Sequence, residues 1–231
     1  MRRDAGPANE DVQGIGLLAE PTRWHLYARV ADAEGALSRE EVAKRSGVPV
    51  HTVKFHLDKL VEAGLLEVEF HKLTGRTGPG SGRPSKHYRR SRQEVSVELP
   101  PRHYDLLSEL FADAIVESTR SGEPVAQVAR RAAFDAGRAR GQKSMSPEDP
   151  PRARLLHALE EGGYEPQVTD TAIMLRNCPF HRMAQRHTAF VCGINLDFVD
   201  GILQGSRCEG ARARLDPSGE RCCVTIADAD R

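Results

Sequence analysis

Five cysteines stand at positions 178, 192, 208, 222 and 223 of a 231-residue chain, and the first 177 residues contain none. Scattered structural thiols would not cluster in the last quarter of a sequence. Thiolates are soft ligands suited to iron–sulfur clusters or zinc, and an imidazole can replace one of them. His181 and His187 lie between the first two cysteines. The gaps between Cys178, Cys192, Cys208 and Cys222 are 13, 15 and 13 residues, with no Cys-x-x-Cys. A zinc ribbon or a ferredoxin loop is therefore a poor match. Spacing this wide requires the fold to gather ligands from separate elements. Cys178 would end a strand, Cys192 would lie in a helix–helix connection, and Cys222 would open the last strand. Cys222 and Cys223 face opposite sides if both are in that strand. Cys208 sits in loop-like surroundings, and any one cysteine also reads as a small buried hydrophobe.

A second chemistry is electrostatic. Lys plus Arg and Asp plus Glu each number 33, so the formal net charge is zero. Residues 71–92 nevertheless carry Lys72, Arg76, Arg83, Lys86, Arg89, Arg90 and Arg92 and no acid. A strip of this kind attracts nucleic acid through counterion release, whatever the base sequence. Gly82-Arg83-Pro84 would present an arginine on a stiffened loop tip, suited to a phosphate or a minor groove.

The elements that must carry these groups follow from periodicity. An apolar stripe from Ile15 to Val30 predicts helix, with Pro21-Thr22 near a start. Ser38 and Glu41 form a capping box, and Gly47 is a plausible stop. A third helix from about Pro49 to Gly64 buries Val53, Leu57, Leu60 and Val61. Its other face carries His51, Thr52, Lys54, Phe55 and Lys59. Early positions of such a helix reach base edges, where Thr52 and Lys54 can hydrogen-bond and Phe55 can meet a thymine methyl. Leu66–Phe70 and Lys86–Arg89 read as strands around the glycine-rich loop. Val95, Val97 and Leu99 alternate as a further strand ending at Pro100-Pro101. Helices are expected over 102–120, 124–142 and 152–161. Short strands near 172–176 and 222–226 then flank helices at 181–190 and 194–204.

Helix, helix, helix, strand, loop, strand is the order of a winged helix-turn-helix. Glu40–Lys44, Val53–Gly64 with Leu65-Leu66, and Gly82-Arg-Pro with Tyr88 resemble an ArsR-like winged-helix repressor over residues 15–95. The Cys178-Pro179-Phe180 turn, the Val191-Cys192-Gly193 segment before a helix, and the late cysteine before a terminal strand resemble the SufR family of cluster-sensing repressors. That resemblance implies a metal set of Cys178, Cys192, Cys208 and Cys222, holding an iron–sulfur cluster, 4Fe–4S among the types. For the fourth position Cys223, His181 and His187 are alternatives, and zinc or a thiol redox switch is the alternative to a cluster.

The fold expected is α+β, mainly helical. It comprises a leader at 1–14, a winged helix-turn-helix at 15–94, a linker strand and helical dimerisation region at 95–145, and a cysteine-containing sensor domain at 146–231. The DNA-binding set is His51, Thr52, Lys54, Phe55, Lys59, Arg76, Arg83 and Lys86. Partners are a double-stranded DNA operator and a second copy of the chain, with residues 102–120 as the dimer seam or as simple intradomain packing. Hydrophobic residues at 39% and charged residues at 29% exclude wholesale disorder. Met1-Arg2-Arg3-Asp4 leads into polar residues rather than an apolar run, and no stretch approaches the roughly 20 apolar residues of a membrane span. A reducing cytoplasm is expected, without membrane contact. No nucleophile–base motif, phosphate loop or zinc-protease signature points to an enzyme.

Overall fold

The structure, a computed structural model, describes residues 7–71, 84–144, 148–217 and 221–228. The chain divides into two compact units, Met1–Val97 and Glu98–Arg231. It is an α+β protein with small antiparallel sheets.

In the first unit α1 (Pro7–Leu17) starts inside the expected leader, and α2 (Pro21–Ala31) follows a short turn. Pro21 takes the first helical position, where its missing N–H costs nothing, and the Glu20 carboxylate accepts from the N–H groups of Thr22 and Arg23. The strand β1 (Leu37–Ser38) leads into α3 (Arg39–Ser46). Both halves of the Ser38–Glu41 capping box are formed, and Gly47 closes the helix at φ 73°. Next come α4 (Val50–Glu62), β2 (Leu66–His71) and β3 (Ser85–Arg90). The sheet order is β1-β3-β2, with Tyr88 opposite both Leu37 and Val68. Leu26, Val30, Val42, Val53, Leu57, Leu60, Leu66 and Tyr88 form its core.

The alternation at Val95, Val97 and Leu99 does not become a strand. None of the described strands pairs with this segment, and an alternating pattern without a ladder partner stays irregular. Leu99 is 84% exposed.

The second unit opens with α5 (Tyr104–Ser121), α6 (Val125–Lys143) and α7 (Pro151–Glu161). Then follow β4 (Pro166–Val168), β5 (Ala172–Leu175), α8 (His181–Arg186), α9 (Thr188–Gly205), β6 (Ala211–Leu215) and β7 (Val224–Asp228). The sheet order is β4-β5-β7-β6, antiparallel throughout. Residues 95–145, read from the sequence as a separate helical region, thus supply α5 and α6 to the same core as the cysteine-bearing elements. On α5, Leu107, Leu110 and Ala114 face that core, while Ile115 and Val116 stay exposed at 55% and 68%.

The crossing of α6 and α9 explains a glycine pattern. Gly137 and Gly141 on α6 lie against the α9 backbone at Phe198 and Ile202, and Gly201 and Gly205 on α9 lie against the α6 backbone at Phe134 and Arg138. A Cβ on Gly137 would fall 2.0 Å from the Phe198 carbonyl oxygen, and one on Gly201 would fall 2.1 Å from that of Phe134. The two backbones approach so closely that only glycine fits at the contact. This close approach fixes α9 in the unit.

Candidate functional site

On α4 the stripe Val53, Leu57 and Leu60 is fully buried, which turns the other face outward. His51, Lys54, Phe55 and Lys59 are exposed and Thr52 is half-buried. Phe55 is 57% exposed although large and apolar, a placement suited to contact with a partner. The Lys59 ammonium is drawn to Glu62 at 2.8 Å. At the base of the wing Lys86 pairs with Asp58 at 3.1 Å, and the Tyr88 hydroxyl donates to the same carboxylate at 3.3 Å. Burial, then the Asp58 charge, raises the Tyr88 phenol to about 12. Arg89 is held between Glu67 at 2.9 Å and Glu69 at 3.0 Å. Part of the basic strip is therefore neutralised locally. Arg76 and Arg83, with Lys72, lie outside the described residues.

In the second unit three of the expected ligands come together, with a fourth thiol the sequence left as an alternative. Cys178 follows β5 in the turn before α8, Cys192 lies inside α9, and Cys222 and Cys223 precede β7. Cys192 is thus helical, not part of a connection between helices. Cys178, Cys192 and Cys222 are buried, Cys223 is partly so, and none of the five cysteines is in a disulfide. The thiols meet in the order 178, 222, 223, 192. A hydrogen bond from Cys222 holds the Cys178 thiol below its ordinary range, and the Phe180 backbone N–H points at the same sulfur. That first bond raises the Cys222 thiol to about 12, while the Val224 N–H favours its thiolate. Cys222 likewise raises Cys223. Burial, then contact with Cys223, raises Cys192 to about 12.

Cys222 and Cys223 do not alternate across a sheet, because the strand begins only at Val224. The segment before it is irregular, which lets adjacent thiols touch. The Cys222 N–H donates to the Leu175 carbonyl at 3.0 Å, tying this segment to the end of β5. From α9, Asn195 donates through Nδ2 to the Cys222 sulfur at 3.1 Å. The Tyr164 hydroxyl donates to Asn195 Oδ1 and so fixes the amide's direction. Burial first, then the neighbouring Cys222, keeps the Tyr164 phenol well above its usual range, so it remains a donor.

The remaining candidates lie elsewhere. His181 is exposed and contacts Gln185 at 3.0 Å. His187 is exposed at the junction of α8 and α9. Cys208 follows the C-terminal end of α9, where its N–H donates to the Leu203 carbonyl at 3.2 Å. Among the described residues no three His, Cys, Asp or Glu side chains are gathered to hold a metal ion. The donor types do fit a soft metal or a cluster. Four thiols are linked pairwise, 178 to 222, 222 to 223 and 223 to 192, and backbone N–H groups aimed at two sulfurs favour the charged, ligating form.

Residues 18–69 match the family model of a helix-turn-helix domain. This match supports a DNA-binding transcriptional regulator of the winged, ArsR-like class, and it does not distinguish a SufR regulator within that class. No curated protein and no solved structure matches the chain. Among the described residues no helix is long and apolar enough to cross a membrane.

Sequence reasoning passed over Asn195, Tyr164, Asn177 and Arg102, which surround the thiols. Asn195 carried a signal, being a lone amide three residues after Cys192 in the apolar run 190–203. Residues three apart share a helix face.

Proposed function

We propose that this chain is a transcriptional repressor, acting as a dimer, whose operator binding is controlled by an iron–sulfur cluster held by Cys178, Cys192 and Cys222 with Cys223 as the fourth thiol. The observation that carries this reading is the run of pairwise contacts that links four largely buried cysteines from three separate elements. The helix-turn-helix match supplies the DNA-binding half of the reading. When bound, a cluster supplies a centre that exchanges electrons and is lost to oxidants.

The protein's own groups supply the rest. The N–H groups of Phe180 and Val224 stabilise thiolate at Cys178 and Cys222. Asn195, aligned by Tyr164, directs a further donor at Cys222. Phe180, Ile194, Phe198 and Val224 belong to the same buried cluster as Cys178 and Cys222, which limits water at those sulfurs. On DNA, Thr52, Lys54 and Phe55 face the bases, and the basic stretch with Arg76 and Arg83 meets phosphate. Two copies on a near-palindromic operator would use the exposed Ile115 and Val116 side of α5 as their seam. Control requires that the loaded and unloaded forms differ in affinity for DNA.

A second reading places zinc or a thiol redox switch at the same residues. It is favoured by the direct contacts of Cys178 with Cys222 and of Cys192 with Cys223. Anaerobic purification separates the readings. Brown protein with near-stoichiometric iron and sulfide supports the cluster. Colourless protein containing zinc supports the second reading. Protein with neither, whose DNA affinity is indifferent to reductant, refutes control at the thiols.

A further inference from the structure

The turn that carries Cys178 is bound to the first residues of the second unit by an unusually complete set of polar contacts. Asn177 is 6% exposed and its amide is used in full. Nδ2 donates to the Pro101 carbonyl at 2.9 Å and also to the Gly163 carbonyl. Oδ1 accepts from the Arg102 guanidinium. The same Arg102 Nη1 donates to the Cys178 carbonyl at 3.1 Å. Beside it the His103 N–H donates to the Pro179 carbonyl at 3.2 Å, and the Arg182 N–H reaches the Tyr104 hydroxyl at 3.4 Å. Residues 101–104 therefore grip 177–182 from both backbone and side chain. Residue 101 stands only four positions after Val97, where the winged-helix unit ends in the chain.

These contacts join two things that the thiol chemistry leaves apart. One is the backbone of a candidate ligand. The other is the chain segment that leads directly to the DNA-binding unit. A buried amide with both donors and its acceptor engaged has no slack, so a shift of the Cys178 turn must move its partners or break their bonds. We propose that Arg102 and Asn177 are positioning residues that couple the state of the thiol site to the segment 98–103, and through it to the winged-helix unit. The proposal rests on the regulatory reading above. It adds the route by which the site is heard.

Arg102→Ala is the primary variant, since Arg102 is only half-buried and is not part of the apolar core. Arg102→Lys retains the charge but not the guanidinium fork. In metal-free, reduced protein, Arg102→Ala should speed alkylation of Cys178 about tenfold and speed exchange of the His103 amide, with Cys192 unchanged within about twofold. After anaerobic reconstitution with iron and sulfide, it should load as wild type does. Its ratio of DNA affinities, loaded over metal-free, should fall from the wild-type value to about one. Arg102→Lys should lie between. Three results overturn the proposal: unchanged Cys178 reactivity and His103 exchange, a retained affinity ratio, or failure to load, which would make Arg102 a support of the ligand alone. A wild-type ratio of one is a different failure, because it removes the regulatory reading itself.

Discussion

Cys192 lies near the start of α9 and Cys208 lies beyond its end, so about 20 Å of helix separates them at 1.5 Å per residue. No rotamer bridges that distance, and Cys208 cannot share a site with Cys192. In the proposed site Cys223, which contacts both Cys222 and Cys192, takes the fourth place. Cys208→Ser should leave iron, sulfide or zinc content within about twofold of wild type, whereas Cys223→Ser should lower it at least about fivefold, as loss of a soft ligand requires. Elemental analysis of anaerobically purified variants checks this. Equal loss in both would remove the assignment.

The α6–α9 crossing makes an opposed pair of predictions. Gly201→Ala places a methyl 2.1 Å from the Phe134 carbonyl oxygen, so the helices must part. A loss of roughly 1–3 kcal/mol or more is expected from overpacking. Gly193, on the same helix, has open space where its Cβ would lie. Gly193→Ala should instead stabilise by about 0.5–1 kcal/mol through helix propensity. Urea midpoints of the two variants decide it; a loss at Gly193 would mean the site-bearing end of α9 is tighter than the structure has it.

What was legible depended on how local the cause was. The Ser38–Glu41 box, the stop at Gly47 and the buried stripe Val53–Leu57–Leu60 are properties of single helices, and the sequence reading of them matches the structure. The short strands β1 and β4 were missed because two or three residues carry no period of their own, whereas β6, Ala211-Arg-Ala-Arg-Leu215, does alternate and was passed over. They exist through pairing, as Leu37 does with Tyr88. Val95–Leu99 shows the converse, an alternating pattern with no strand. At the thiol site, spacing indicated that separate elements had to converge, but only tertiary structure could choose between Cys208 and Cys223. The glycines at 137, 141, 201 and 205 had a helical spacing of four, but their meaning lay in the backbone of the facing helix.

The DNA face divides into reading and anchoring residues. Lys54→Ala should relax preference at one operator position, at about 1–3 kcal/mol, whereas Arg83→Ala should weaken all sequences alike and lower the salt slope by about 1. Lys86→Ala should change the slope less, because Asp58 already neutralises that ammonium at 3.1 Å. Binding to matched and scrambled operators over a salt series measures all three. A uniform loss for Lys54→Ala would move it from base to phosphate.

The last prediction concerns pH and uses His103, beside the Asn177 network. Burial, reinforced by the positive charge of Arg140, lowers the His103 imidazole below its usual 6.5, and its ring lies against Gly163, where a Cβ would fall 2.9 Å from Cδ2. The folded protein therefore binds fewer protons at this residue than the unfolded chain does. By linkage, stability rises with pH between the folded value and 6.5. The contribution is fully present above 6.5 and is lost as pH falls through the lowered folded value. Asp200, whose carboxyl burial raises, opposes this only toward the carboxylate range. Between pH 7 and pH 5.5 the wild-type urea midpoint should fall. His103→Phe, which cannot titrate, should flatten that dependence whatever its absolute stability. A dependence that survives the substitution would assign the acid sensitivity to another group.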